Sequence, residues 1–247
     1  MFEKTIEFIA PEEYIKNHPD LLPTPIKLNI PEWYKKLKHH INKKTVKGCM
    51  PFLDTLVTGY LLKLPTDFYI GHNIEINGKK ATHIVAPHTF SNSLGKYINI
   101  NYEDSKEYHE TFQMEESPLV NKNKNLPFHK IMNPWTIKTP SGYSCLFVPP
   151  LNNRDDRFEI ISGIVDTDTF ETEINFPIVL NGDKYPNLKT NLKVGTPYVQ
   201  IIPFKREAWK MKIKNRDEKK YNESRFFQNT YILDNYKKKY WYKKSWK

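Results

Sequence analysis

Three segments decide the fold: Thr139-Pro140-Ser141-Gly142-Tyr143-Ser144-Cys145-Leu146-Phe147-Val148-Pro149, Gly163-Ile164-Val165-Asp166-Thr167-Asp168, and Val194-Gly195-Thr196-Pro197-Tyr198-Val199-Gln200-Ile201-Ile202. Each is a short run that Gly and Pro punctuate, which reads as a strand with a tight corner beside it. Between them, Ile174, Phe176, Ile178 and Leu180 alternate with Asn175, Pro177 and Val179. That alternation predicts a strand with one buried face, and Pro177 predicts an edge or a bulge. Asn181-Gly182 then turns the chain, and Val199 to Ile202 closes the β region.

Upstream, Thr58 to Leu64 reads as a strand ending at Pro65, and Phe68-Tyr69-Ile70 follows. The strongest turn signal is Asn77-Gly78, which predicts a hairpin between Ile74-Glu75-Ile76 and Lys79 to Val85. Residues 89–127 are polar and predict a long surface excursion. Pro31 to Lys38 reads as a short helix, with Trp33 and Leu37 spaced to pin one face. After Lys47-Gly48 the pattern shifts toward strands. The expected organisation is a Pro-rich N-terminal arm with a short helix (1–44), a β core (45–205) and a basic aromatic C-terminal extension (206–247).

The chain has 18 Pro against nine Gly, and 14% aromatic residues against 38% hydrophobic ones. Short extended segments and stiff loops follow, with rings supplying much of the core. Cys49 and Cys145 have no metal-type spacing and are expected as two buried thiols. No apolar run approaches a membrane span, so no membrane partner is expected. The net charge of +10 is uneven: residues 205–247 carry fifteen Lys or Arg against five Asp or Glu, leaving 23 of each in the rest. A partner inferred from charge is therefore a partner of the tail.

The order of the three segments resembles that of the dUTPase and dCTP-deaminase-like families. Those have a Pro-x-Gly-Tyr strand, a Gly-Val-Ile-Asp-Ser-Asp strand and a late Gly-x-x-x-x-Gln strand. Gly195, Pro197, Gln200, Pro203, Arg206 and Trp209 also resemble the ending of an uncharacterised family of tailed phages and some bacteria. The resemblance implies a mainly β, dUTPase-like β-clip: a distorted barrel with short N-terminal helices and a C-terminal extension. It further implies that Asp166 stands where those enzymes orient a hydrolytic water, and that such domains assemble into homo-oligomers with sites between subunits. The Arg-Ser pair of those enzymes has no counterpart here, since Leu151-Asn152-Asn153 follow Pro149-Pro150 and the first cations are Arg154 and Arg157.

Two functions follow as expectations. One is a non-catalytic, phage-type scaffold or binding protein, acting in the host cytoplasm or virion, whose arms serve assembly. The alternative is a nucleotide pyrophosphatase with Asp166 as base, Arg154 and Arg157 as phosphate ligands, and Mg²⁺ as its cofactor. No other cofactor is expected. In both, Asp166 and Asp168 can also simply fix a turn. His72, His83 and His88 lack the pairing of a metal site, and no metal is expected. The tail residues Lys237, Lys238, Lys239, Tyr240, Trp241, Tyr242, Lys243, Lys244 and Trp246 interleave cations with rings, the chemistry of a nucleic-acid contact. The same rings could instead dock on protein.

Overall fold

A computed structural model describes residues 4–40, 42–85, 108–229 and 235–247. Within these the strands are β1 (Glu7–Ile9), β2 (Thr24–Pro25), β3 (Tyr60–Lys63), β4 (Phe68–Ile76), β5 (Lys79–Val85), β6 (Tyr108–His109) and β7 (Phe128–Ile131). They continue with β8 (Thr136–Lys138), β9 (Tyr143–Val148), β10 (Phe158–Ile160), β11 (Gly163–Val165), β12 (Phe176–Leu180), β13 (Leu188–Leu192) and β14 (Pro197–Lys205). The helices are α1 (Glu12–Asn17), α2 (Glu32–Lys36), α3 (Met50–Val57), α4 (Pro118–Lys122), α5 (Glu218–Asn229) and α6 (Asn235–Lys239). The fold is mainly β, with four antiparallel sheets and short helices. His88 and residues 89–107 of the predicted surface excursion lie outside the described residues, while its remainder, 108–127, holds β6 and α4 and buries Asn123 and Leu126.

The chain groups into two units, each discontinuous in sequence: residues 1–24 with 59–205, and residues 25–58 with 206–247. The first unit holds the sheets. Its largest has the order β11-β9-β14-β3, with β2 at the edge where the chain leaves the unit. The second orders β10-β12-β7-β6, the third β13-β4-β5, and β1 pairs with β8. Strand β14 lies between β9 and β3 and is covered on both faces, so Tyr198, Val199, Gln200 and Ile201 are all buried. Phe147, Phe176 and Tyr198 pack in series, the first pair tilted and the second edge-on, with ring centroids 5.5 and 5.7 Å apart.

Local chemistry explains the corners. Asn77 and Gly78 both take positive φ (52° and 75°), the conformation that a two-residue hairpin turn needs, and β4 and β5 pair across them. Gly59 has φ 80°, and a Cβ there would stand 2.0 Å from the Ile201 carbonyl oxygen, so only glycine admits β14 at this point. Asp67 accepts from the Val194 amide (2.7 Å), Asn191 Nδ2 (3.1 Å) and Lys193 Nζ (3.0 Å), which ties the start of β4 to the end of β13. Those bonds hold its carboxyl below the usual carboxylate range. Buried Asn123 is fully used: its amide donates to Leu126 and Pro127 carbonyls, and its oxygen accepts from the Leu180 amide.

Three sequence expectations fail locally. Pro177 lies in β12, which is flanked by β10 and β7 and is no edge. Its carbonyl accepts from the Ile161 amide, one residue beyond β10, so the missing N–H costs a bond only where that ladder ends. Residues 50–57 form helix α3 where the pattern predicts strands: Pro51 suits the first turn, and Met50 and Leu56 are buried. Cys49 is exposed, and only Cys145 is buried.

The second unit is a smaller assembly. In α2 the buried anchor is Tyr34, whereas Trp33 is 44% exposed. Tyr34 stacks on Phe52 of α3 at 6.1 Å, and Trp33 meets both rings edge-on. The buried apolar residues described in this unit are Ile26, Tyr34, Met50 and Leu56.

Candidate functional site

The motif segments meet at a corner of the first unit. Antiparallel pairing of β9 and β11 sets Val165 opposite Cys145. One residue further, the Ser144 hydroxyl donates to Asp166 Oδ1 at 2.6 Å. The Asp166 carbonyl accepts from the amides of Thr169 (3.1 Å) and Phe170 (3.0 Å). Asp168 Oδ2 accepts from the Gly142 amide at 2.8 Å, and the Thr139 and Thr167 hydroxyls are 2.7 Å apart. Thr167 is fully buried, and its hydroxyl reaches Cys145 Sγ at 3.4 Å. Burial pushes the Cys145 thiol up to about 11, so it is no thiolate nucleophile at neutral pH. These bonds knit two sequence motifs into one turn.

The two arginines point their chemistry elsewhere. Arg154 Nη1 donates to Glu159 Oε2 at 2.7 Å. Arg157 grips Asp155 through Nε (3.0 Å) and Nη2 (2.7 Å), and its Nη1 donates to Thr190 Oγ1 (2.9 Å) on β13. Their bonds tie loop 149–157 to β10 and β13. Gln200 Oε1 accepts from the Leu151 amide at 2.8 Å, so this buried amide also serves that loop.

The histidines separate. His72 is fully buried on β4, with Nδ1 2.7 Å from the Thr82 hydroxyl. His129 is buried on β7, and His83 is exposed. Burial lowers both buried imidazoles to about 4, helped by Lys124 at His72 and by the neighbouring histidines at His129, so they are neutral at pH 7. Among the described residues no group of His, Cys, Asp and Glu could hold a metal ion. No described helix is long and apolar enough to cross a membrane.

A second candidate lies wholly within the second unit: a cleft of about 810 Å³. Its walls bring Lys35, Lys36, Lys38, Lys47 and Lys237 together with His39, Tyr34 and Trp241, and none of the lining residues is acidic. Local bonds shape one wall: the Thr45 amide donates to His39 Nδ1 (2.9 Å), and Lys47 Nζ donates to the Lys35 carbonyl (2.7 Å). The tail supplies the other wall and is clamped by Asp54 of α3. Trp241 Nε1 donates to Asp54 at 3.1 Å, and Lys244 Nζ donates to Asp54 Oδ2 at 2.5 Å. Lys244 Nζ also lies 5.7 Å from the Trp241 ring centroid. Docking and cation display are thus combined in one segment. Lys36, Lys38 and Lys237 are solvent-exposed, as are Tyr236 (49%), Tyr240 (43%) and Tyr242 (82%).

A third feature went unread in the sequence. Ala208-Trp209-Lys210-Met211-Lys212-Ile213-Lys214 alternates apolar residues with lysine at the period of a strand, yet lies outside every helix and strand. Trp209, Met211 and Ile213 are 88%, 85% and 86% exposed. The alternation from Trp209 to Lys214 is the signal the sequence carries for it, within a stretch whose lysines also suit a solvated tail. No family model, no curated protein and no solved structure matches this chain.

Proposed function

We propose that this chain is a non-catalytic assembly protein: a β scaffold, of the dUTPase-like β-clip type that phages encode, whose Ala208–Lys214 segment adds as a strand to another copy. The exposed alternation at Trp209, Met211 and Ile213 carries this reading. A row of large apolar side chains on an unpaired segment is what strand addition uses, with backbone bonds giving affinity and alternate side chains giving specificity. The receiving edge on the other copy is β11, which ends its sheet and exposes Ile164 (62%). Downstream of it run Asp166, Asp168, Glu171 and Glu173, complementary to Lys210, Lys212 and Lys214.

The magnitudes require reciprocity. Burying three such side chains stabilises by about 6 kcal/mol, while association costs roughly 4–15 kcal/mol in lost freedom. One arm alone is near break-even, and a mutual exchange between two copies doubles the gain for a single association. Such a protein would act in the host cytoplasm or the virion. The non-catalytic reading draws support from Arg154 and Arg157, whose guanidinium groups engage carboxylates of their own loop and β10.

Sedimentation velocity over a wide concentration range tests it. An oligomer is expected that Trp209→Ser/Met211→Ser/Ile213→Ser converts to monomer without changing the far-ultraviolet spectrum. A wild-type protein that stays monomeric at the highest concentration overturns the proposal, as does an oligomer that the triple variant leaves intact.

A further inference from the structure

The cleft of the second unit has a chemistry that assembly does not use. Residues 25–58 and 206–247 carry 21 Lys or Arg against seven Asp or Glu, a net +14. The remaining residues hold 17 against 21 and are net −4. Every cationic excess of the chain therefore belongs to this unit, and the cleft gathers five of its lysines from two distant stretches. Like charges brought together raise the free energy of the unit, and a bound polyanion relieves that repulsion while releasing its own counterions.

We propose that this cleft binds single-stranded nucleic acid, with Lys36, Lys38 and Lys237 on the phosphates and the rings beside them stacking on unpaired bases. The rings favour a single strand over other polyanions. Trp241 lines the cleft, and Tyr236, Tyr240 and Tyr242 lie exposed along the tail that forms its wall. Stacking on aromatic faces needs bases that are not paired, and interleaved cations track the backbone between them. Tyr236 and Tyr240, one helical turn apart, have centroids 6.1 Å from each other and present two neighbouring faces. Asp54 acts as a positioning residue by fixing Trp241 and Lys244. The site is composite: four of its five lysines come from residues 35–47, which no tail-only reading includes.

The test is fluorescence anisotropy of the full chain with a labelled oligothymidylate across a salt series. Salt-sensitive binding is expected. Lys36→Glu/Lys38→Glu/Lys237→Glu should weaken it at least tenfold and lower the salt slope by about 2, since each single-strand phosphate contact contributes roughly 0.7. Tyr242→Ala, at an 82% exposed position, should weaken it about fivefold or more at fixed salt. The control Lys79→Glu/Lys80→Glu/Lys189→Glu alters the same charge on the first unit and should leave binding unchanged. Equal losses in the two triple variants would mean bulk attraction and overturn the site. No binding at low salt also overturns it. Competition by a DNA duplex or by tripolyphosphate as effective as unlabelled oligothymidylate overturns the single-strand assignment. These outcomes are read on monomer and oligomer alike, so they are independent of assembly.

Discussion

The first unit buries a continuous cluster of 21 side chains, from Tyr14 through Ile201, and carries a net charge of −4. The second unit has four buried apolar residues in its described part and a net charge of +14. The first is held by apolar area removed from water and by saturated polar corners such as those at Asp67 and Asn123. The second is held by one ring cluster and by single polar clamps, against its own charge repulsion. The contrast teaches that the packed core resides in one unit and the excess of cations in the other.

Breaking the first core should have the largest effect. Phe147→Ala removes a ring packed 5.5 Å from Phe176, and about 4 kcal/mol of stability should be lost in urea unfolding. Trp33→Ala in the second unit, at a 44% exposed position, should cost about 1 kcal/mol or less. Comparable losses at both positions would erase the distinction between the units.

Acid should unfold the first unit through its histidines. His72 and His129 have folded values near 4, below the ordinary 6.5, so the unfolded chain binds more protons between those values. Stability should be level above about pH 7 and fall as pH drops from about 6.5 to 4, by up to roughly 1.4 kcal/mol per pH unit for each histidine. The lowered carboxyl of Asp67 acts in a separate window: its contribution is present above its unfolded value and is lost only as pH falls through its folded value. Denaturation midpoints measured against pH, with His72→Gln, should show a shallower decline in the upper window. An unchanged decline would mean that other groups take up the protons.

Where the sequence was legible, local chemistry decided the structure. Asn77-Gly78 could form little but a tight hairpin, and the alternation from Ile174 to Leu180 marked β12. The Asp166 corner was legible as a turn because Asp, Thr and Gly there can satisfy neighbouring amides. Pro177 misled because edge or interior is settled by which strands lie alongside, and that is not local. Residues 50–57 misled because their apolar content suits helix and strand alike, and Pro51 was the quieter signal. The cleft was half visible: the tail announced its lysines, but the partnership of Lys35, Lys36, Lys38 and Lys47 with Lys237 depends on a chain closure across nearly two hundred residues.

That closure can be loosened at one atom group. Asp54→Ala removes the acceptor for Trp241 Nε1 and Lys244 Nζ, and these side chains are partly exposed, so about 1 kcal/mol is expected. The loss should be local: amide exchange should quicken in residues 236–247 while the first unit keeps its unfolding midpoint. Slow exchange preserved in the tail would show that Tyr34, Phe52 and the remaining contacts of the unit suffice without the clamp.

The smallest effect is expected at Asp166. Asp166→Asn keeps an oxygen for the Ser144 hydroxyl and leaves the backbone bonds to Thr169 and Phe170 in place, so the unfolding midpoint should move by less than about 0.5 kcal/mol equivalent. The wild-type chain, given Mg²⁺ and each common nucleoside triphosphate in turn, is expected to release no pyrophosphate. The reason is electrostatic: phosphoryl transfer needs cations held on the phosphate oxygens, and Arg154 and Arg157 are held by Glu159 and Asp155. Turnover in the wild type that Asp166→Asn abolishes would reverse the comparison between the units, placing the chemistry in the β scaffold. It would also require phosphate cations from another copy or from the basic unit.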